Sequence, residues 1–229
     1  MVRRFTVAED YDFLRQKSAQ VLFPDEQLEN DINALRDFCY DNNNKVYSMA
    51  AVQIGIPKRI MFIRHNQEVD ARQGDQQDVD LIYINPQVVG RRGQTKYWEL
   101  SASLQDGDMR FIAHVERPYE IEIEYQDEEG LGHSKTIMGF EATIFLHEYD
   151  LMNGILCTDR TDEIRHMSPE QIKSEIRSQY GYDVLVEDGA YIEGEYDKYT
   201  AYYDPKGLIQ LRQIDHNQNS VLPSSEFEG

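Results

Sequence analysis

The sequence predicts an α+β fold organised around one helix at 140–154. Two observations lead there. The stretch FEATIFLHEYDLMNG sets Phe140, Thr143/Ile144, His147 and Leu151 at helical spacing, as a single amphipathic helix would, and Asn153-Gly154 supplies its stop. Just before it, YEIEIEY at 119–125 alternates apolar and acidic residues, the pattern of a strand with one wet face. A second extended run, YWELSASL at 97–104, adds a further strand to the region ahead of the helix.

Taken in order, residues 9–19 and 25–42 read as helices. In the second, Leu28, Ile32, Leu35 and Phe38 fall on one face, and the polar run from Asp41 to Asn44 ends it. Arg59–Arg64 reads as a strand after the Gly55/Pro57 punctuation, and the polar residues 66–79 as a surface loop or hairpin. Leu81–Val89 is a strand interrupted at Pro86, which places it near an edge or bend. Residues 105–110 form a loop, and Lys135–Met138 completes a hairpin with 119–125. Beyond Thr158 the character changes. Ser168-Pro-Glu-Gln171 is a capping box that opens a helix stopped at Gly181; short strands follow at 184–186, 199–203 and 208–214, the last two joined as a hairpin through Asp204-Pro-Lys-Gly207, and then a disordered tail at 216–229. The expected division is a domain at 1–163 and an acidic C-terminal extension at 164–229.

Forty-two acidic against 23 basic residues give a net charge of −19, a surface that repels phosphate backbones and anionic headgroups. Nucleic acid and membranes are therefore not expected as partners. No apolar run reaches the roughly 20 residues of a membrane-spanning helix, and the N-terminus lacks a signal-peptide core. Cys39 and Cys157 show no metal or redox spacing and read as buried free thiols, which favours the cytoplasm.

The chemistry concentrates in three segments. His147-Glu148 begins a His-Glu-x-x-His metallohydrolase signature, in which two His one turn apart bind a metal and the Glu handles the proton, but its second His position holds Leu151. Val46-Tyr-Ser-Met-Ala-Ala-Val-Gln53, followed by Ile54-Gly-Ile-Pro57, resembles the Gly-h-Gly-h-Ala-Ala-x-Gln motif of peptide deformylases (h, hydrophobic). Ser101-Ala-Ser-Leu-Gln105 takes the place of that family's Glu-Gly-Cys-Leu-Ser motif, and Leu146-His-Glu-Tyr-Asp-Leu151 that of its Gln-His-Glu-x-Asp-His helix. With Ile84-Asn-Pro86 and Glu116-Arg-Pro118 in order between them, the resemblance covers about residues 11–163.

The resemblance implies mixed and antiparallel strands wrapped around the motif-bearing helix, with an α/β extension appended. It also implies a site with three protein ligands and one open position, where a metal-bound water attacks the formyl group of an N-terminal methionine. At the ligand positions this chain has Ser103, His147 and Leu151, so His147 alone survives. A neutral hydroxyl is a poor ligand for Fe, Ni or Zn, and Leu offers no donor. The expectation is thus no bound metal, with Fe, Ni or Zn only if the site has been rebuilt. Glu148 matches the general acid/base, Gln53 the oxyanion amide and the Leu104 N–H the second oxyanion donor. Val46, Ser48 and Met49 fall where the substrate backbone would pass, two of them replacing glycines.

Each residue also has a plainer structural reading. His147 would be a hydrogen-bonded core histidine, Glu148 a paired core carboxylate or a pocket acid, and Gln53 a bond to local backbone. Asp150 would anchor the helix to Arg59 or another cation. His114, Asp106, Asp108 and Asp150 are the possible replacement ligands. The Tyr-rich extension (Tyr191, Tyr196, Tyr199, Tyr202, Tyr203) reads as packing, with partner binding as the alternative. Three functions remain open: a metal-free deformylase-like protein that holds a peptide or protein N-terminus, a working hydrolase with a rearranged metal site, and an interaction protein acting through 164–229.

Overall fold

The computed structural model describes residues 3–41, 46, 48–64, 81–172 and 174, and three strands at 199–203, 209–215 and 220–222. The elements run α1 (Val7–Leu14), α2 (Leu28–Tyr40), β1 (Ser48–Ala50), β2 (Ile60–Ile63), β3 (Leu81–Arg92), β4 (Thr95–Asp106), β5 (Met109–Arg117), β6 (Glu120–Gln126), β7 (Gly132–Met138), α3 (Gly139–Met152), β8 (Ile164–Met167), β9 (Tyr199–Tyr203), β10 (Ile209–Asp215) and β11 (Ser220–Leu222). The expected loop at 66–79, the continuation of the helix beyond 174 and the strand at 184–186 lie outside the described residues; of the tail expected to be disordered, Ser220–Leu222 instead forms strand β11 paired with β10, and the rest lies outside them.

Two antiparallel sheets enclose α3. One has five strands in the order β1-β2-β3-β6-β7, the other three in the order β4-β5-β8. Met61, Ile63 and Tyr83 of the first sheet share an apolar cluster with Ala113 and Val115 of the second and with Ala142, Phe145 and Leu151 of α3. On strands β2 and β3 the alternate residues Ile60, Phe62, Ile82 and Ile84 point the other way and pack with Ile32 and Leu35 of α2. The period-two side-chain alternation of a strand thus serves two apolar layers, one on each face of the sheet. A third sheet, β9-β10-β11, is formed within the C-terminal region.

Two expectations change, and for β3 the bend, one of its two alternatives, holds. The central helix is not amphipathic: every residue from Ala142 to Met152 except Tyr149 is buried, because it shares its core with residues of both sheets. Strand β3 is not an edge, since it lies between β2 and β6; Pro86 is accommodated at a register shift between Ile84 and Gln87. The loop at 105–110 is a tight hairpin turn at Gly107 (φ +56°) joining β4 to β5, a strand the apolar pattern did not announce. The capping box is present, with Gln171 N–H donating to Ser168 Oγ (3.2 Å) and Ser168 N–H to Gln171 Oε1 (2.8 Å). Strand β8 pairs with β5, so residues 164–167 are built into the second sheet. Among the described residues, no helix is long and apolar enough to cross a membrane.

Candidate active site

Three elements meet at the motif residues. Strand β1 and the 3-10 turn Ala51–Ile54 bring Ser48, Ala50 and Gln53, β4 brings Glu99, Ser101 and Ser103, and α3 brings His147, Glu148 and Asp150. All of these side chains are buried, so each polar atom needs an internal partner or carries a desolvation cost.

Glu148 takes two donors. Ser48 Oγ–H donates to Oε1 (2.6 Å) and the Ala50 N–H to Oε2 (2.7 Å). Burial raises the pKa of this carboxyl, while His147, Ser48 and Ala50 pull it back. The Ala50 N–H also donates to Gln53 Oε1 (2.9 Å), and Gln53 Nε2–H donates to Ser103 Oγ (3.1 Å). The two retained catalytic-type groups, Glu148 and Gln53, therefore belong to one hydrogen-bond chain with a serine hydroxyl at each end. The local-backbone reading of Gln53 and the paired-carboxylate reading of Glu148 both describe this arrangement.

His147 belongs to a second cluster. Its Nδ1 lies 2.8 Å from Glu99 Oε2. Burial pushes the Glu99 carboxyl upward, but the charge and hydrogen bonds of Arg117, and then His147, outweigh it and hold its pKa at about 2. Because an ionised carboxylate only accepts, Nδ1 carries the proton and donates. Burial lowers the His147 pKa, yet Glu99 more than offsets it and the net direction is up. Arg117 donates from Nε to Glu99 Oε1 (2.7 Å), from Nη2 to Oε2 (2.9 Å), and from Nη1 to Asp150 Oδ2. Asp150 also receives Nε and Nη2 of Arg160. Its anchor is thus Arg117 with Arg160 and not Arg59, which donates to Asn153 Oδ1 and to the Pro86 carbonyl.

The remaining site residues are in apolar surroundings. Val46 and Met49 pack in the α2-side cluster, and Leu104 and Leu151 in the cluster around α3. Leu151, 1% exposed, fills the helix position one turn beyond His147 with hydrocarbon. Among the possible replacement ligands, His114 is engaged by Glu163 (2.7 Å) and stacked on Trp98, and Asp106 and Asp108 are exposed at the β4–β5 turn. The residues the sequence reading passed over are Glu99, Arg117 and Arg160. Glu99 left a signal, an acid inside the otherwise apolar YWEL, and Arg117 lay within Glu116-Arg-Pro118.

One further trio has metal-ligand chemistry: Glu99, His147 and Cys157 offer ligand atoms within 4.8 Å of one another. Both Glu99 oxygens already accept from Arg117, and burial raises the Cys157 thiol well above its ordinary pKa. A cation there would also face the Arg117 guanidinium. As they stand, the Glu99 oxygens are committed to Arg117, which a metal would have to displace.

The family model for polypeptide deformylase matches residues 3–167. The chain is 34% identical over 152 residues to the peptide deformylase of Rhizobium meliloti (strain 1021), an alignment covering 64% of this chain and 80% of that one. It is 28% identical over 171 residues to that of Finegoldia magna (strain ATCC 29328), covering 73% and 94%. Among solved structures, the fold is similar to an inhibitor complex of Plasmodium falciparum peptide deformylase (TM-score 0.56, 26% identity, 77% of this chain and 96% of that one). It is also similar to a Met-Ala-Ser-bound peptide deformylase from Acinetobacter baumannii (TM-score 0.57, 23% identity, 70% and 98%). The fold, the order of the three motifs and these matches lead to one conclusion: the chain belongs to the polypeptide deformylase family.

Proposed function

We propose that this family member has given up the metal and its hydrolysis and retains a place for a peptide N-terminus. The observation that carries the reading is the ligand set. Of three positions, one keeps His147, one holds a serine and one holds Leu151 in the apolar core, so a borderline metal would have a single good donor. The polar groups that would act on a metal-bound water are bonded to the chain itself, Glu148 to Ser48 and Gln53 to Ser103. The ligand class is the methionyl tripeptide bound by the Acinetobacter baumannii relative. Cys39 and Cys157 are buried and form no disulfide, which suits a reducing compartment, the cytoplasm.

The test is metal analysis of protein produced with added Fe, Ni and Zn, alongside turnover of formyl-Met-Ala-Ser and binding of Met-Ala-Ser followed by NMR. The expected result is metal far below one ion per chain, no turnover and chemical-shift changes with the tripeptide. Stoichiometric metal together with turnover would overturn the reading.

A second reading, a working metal-dependent hydrolase with a rearranged site, draws on one observation, the proximity of Glu99, His147 and Cys157. It requires Arg117 to release Glu99 when metal enters. Loss of metal in a Cys157→Ser variant would support it.

A further inference from the structure

Placed from the sequence on Ser101–Gln105, the second family motif matches Glu-Gly-Cys-Leu-Ser at Leu104 alone. The structure brings a different residue of β4 to the third motif: Glu99 accepts from His147 Nδ1 at 2.8 Å. Counted from there, Glu99-Leu-Ser-Ala-Ser103 matches the motif at its first and last residues. We propose that the second motif of this chain is Glu99–Ser103, that Glu99 is a positioning residue fixing His147, and that Ser101, not Ser103, stands at the lost thiolate position.

The geometry of β4 supports this register. Along an extended strand, residues i and i+2 share a face about 7 Å apart, which is the spacing of Glu and Cys in the motif. The β4–β5 ladder is regular down to Leu100↔Ile112 and resumes only at Gln105↔Arg110, so β4 advances five residues while β5 advances two. Ser101 is the first residue past the regular ladder, one pleat from Glu99. Ser103 lies inside the bulge, where its Oγ accepts from Gln53 and its N–H donates to Ser101 Oγ (3.3 Å). Glu99 holds Nδ1, the usual place of a carboxylate behind a ligating histidine. The misfit with a metal is unchanged by the register, since a serine stands at either position.

The proposal rests on the metal-free reading only in taking the position to be vacated. Its test compares Ser101→Cys/Leu151→His with Ser103→Cys/Leu151→His, each verified as folded by circular dichroism. Co2+ is the probe, followed by its thiolate charge-transfer absorption and by metal per chain. The expected result is one Co2+ per chain in the Ser101→Cys double variant, bound at least about tenfold more tightly than in its Ser103→Cys counterpart. Adding Glu99→Gln should then weaken binding by about 10–100-fold. Equal or tighter binding by the Ser103→Cys variant, or no binding by either folded variant, overturns the register; an affinity indifferent to Glu99→Gln overturns the positioning role. Should Leu151→His unfold the chain, the single Ser101→Cys and Ser103→Cys variants carry the same comparison with Cd2+, whose sulfur band and 113Cd shift report thiolate and His147 together. Stoichiometric Co2+ in the wild-type control would count against the metal-free reading and leave the comparison of registers intact.

Discussion

Arg117 grips Glu99 with two parallel hydrogen bonds, Nε to Oε1 at 2.7 Å and Nη2 to Oε2 at 2.9 Å, with both side chains out of solvent. Through its third nitrogen Arg117 reaches Asp150, so strands β4 and β5 are tied to α3 by charge. Removing one partner of a buried pair leaves the other uncompensated. Arg117→Met should cost about 3–5 kcal/mol in urea unfolding. Glu99→Leu combined with Arg117→Met should cost less than the two single changes added together, the sign of a coupled pair.

Ser48 stands where the family pattern has glycine, and its hydroxyl serves Glu148 Oε1. Ser48→Ala should destabilise by about 1–3 kcal/mol, because a buried carboxylate loses a donor with no water to replace it. Val52→Ala, in the same core but without a polar partner, should lose only packing. An unfolding midpoint for Ser48→Ala equal to wild type would mean Glu148 finds another donor.

Trp98, the only tryptophan, stacks on His114 with ring centroids 4.5 Å apart and an interplanar angle of 9°. Burial lowers the His114 pKa, with Lys96 and Arg165 adding to it and Glu163 opposing. The folded value lies below the unfolded one, so the unfolded chain binds more protons in that window. The stabilisation is complete above about pH 6.5 and is lost as pH falls through the folded value. Trp98 fluorescence should therefore titrate with a midpoint below 6.5, and His114→Phe should abolish both that transition and the accompanying slope in stability.

Gly154 has φ +71°, and a Cβ there would collide with the Arg15 carbonyl. Gly154→Ala should cost about 2 kcal/mol or more, since both the backbone conformation and a rigid backbone neighbour oppose it. Gly107 has φ +56° with nothing near a Cβ, so Gly107→Ala should carry the conformational cost alone. A smaller loss at Gly154 than at Gly107 would contradict the close approach.

What the sequence disclosed follows from which interactions are periodic. The YEIEIEY alternation and the α2 stripe of Leu28, Ile32 and Leu35 were legible because one face of each element meets the core. The central helix misled because Glu148 and Asp150 fall off the face shared by Ile144, His147 and Leu151 and read as wet. Both are buried, and His147, Glu148 and Asp150 find partners 33 to 100 residues away, in Glu99, Ser48 and Arg117, of which local pattern carries no trace. Glu99 escaped notice for the same reason, and with it the bulge in β4 that decides how the second motif is counted. The retained ligand His147 and the substitution at Leu151 were readable because that motif is contiguous on one helix.

The close approach of Gly154 to Arg15 also bears on the order in which the chain assembles. The Ser18 N–H donates to the Met152 carbonyl (2.8 Å), and Arg15 pairs with Asp159, so the segment after α1 is docked by residues that leave the ribosome some 130 positions later. Domains are synthesised from the N-terminus at a pace of seconds to tens of seconds per hundred residues. The segment around Ser18 is therefore secured only after α3 is made, and until then a nascent chain carries Phe13 without the cluster it packs against.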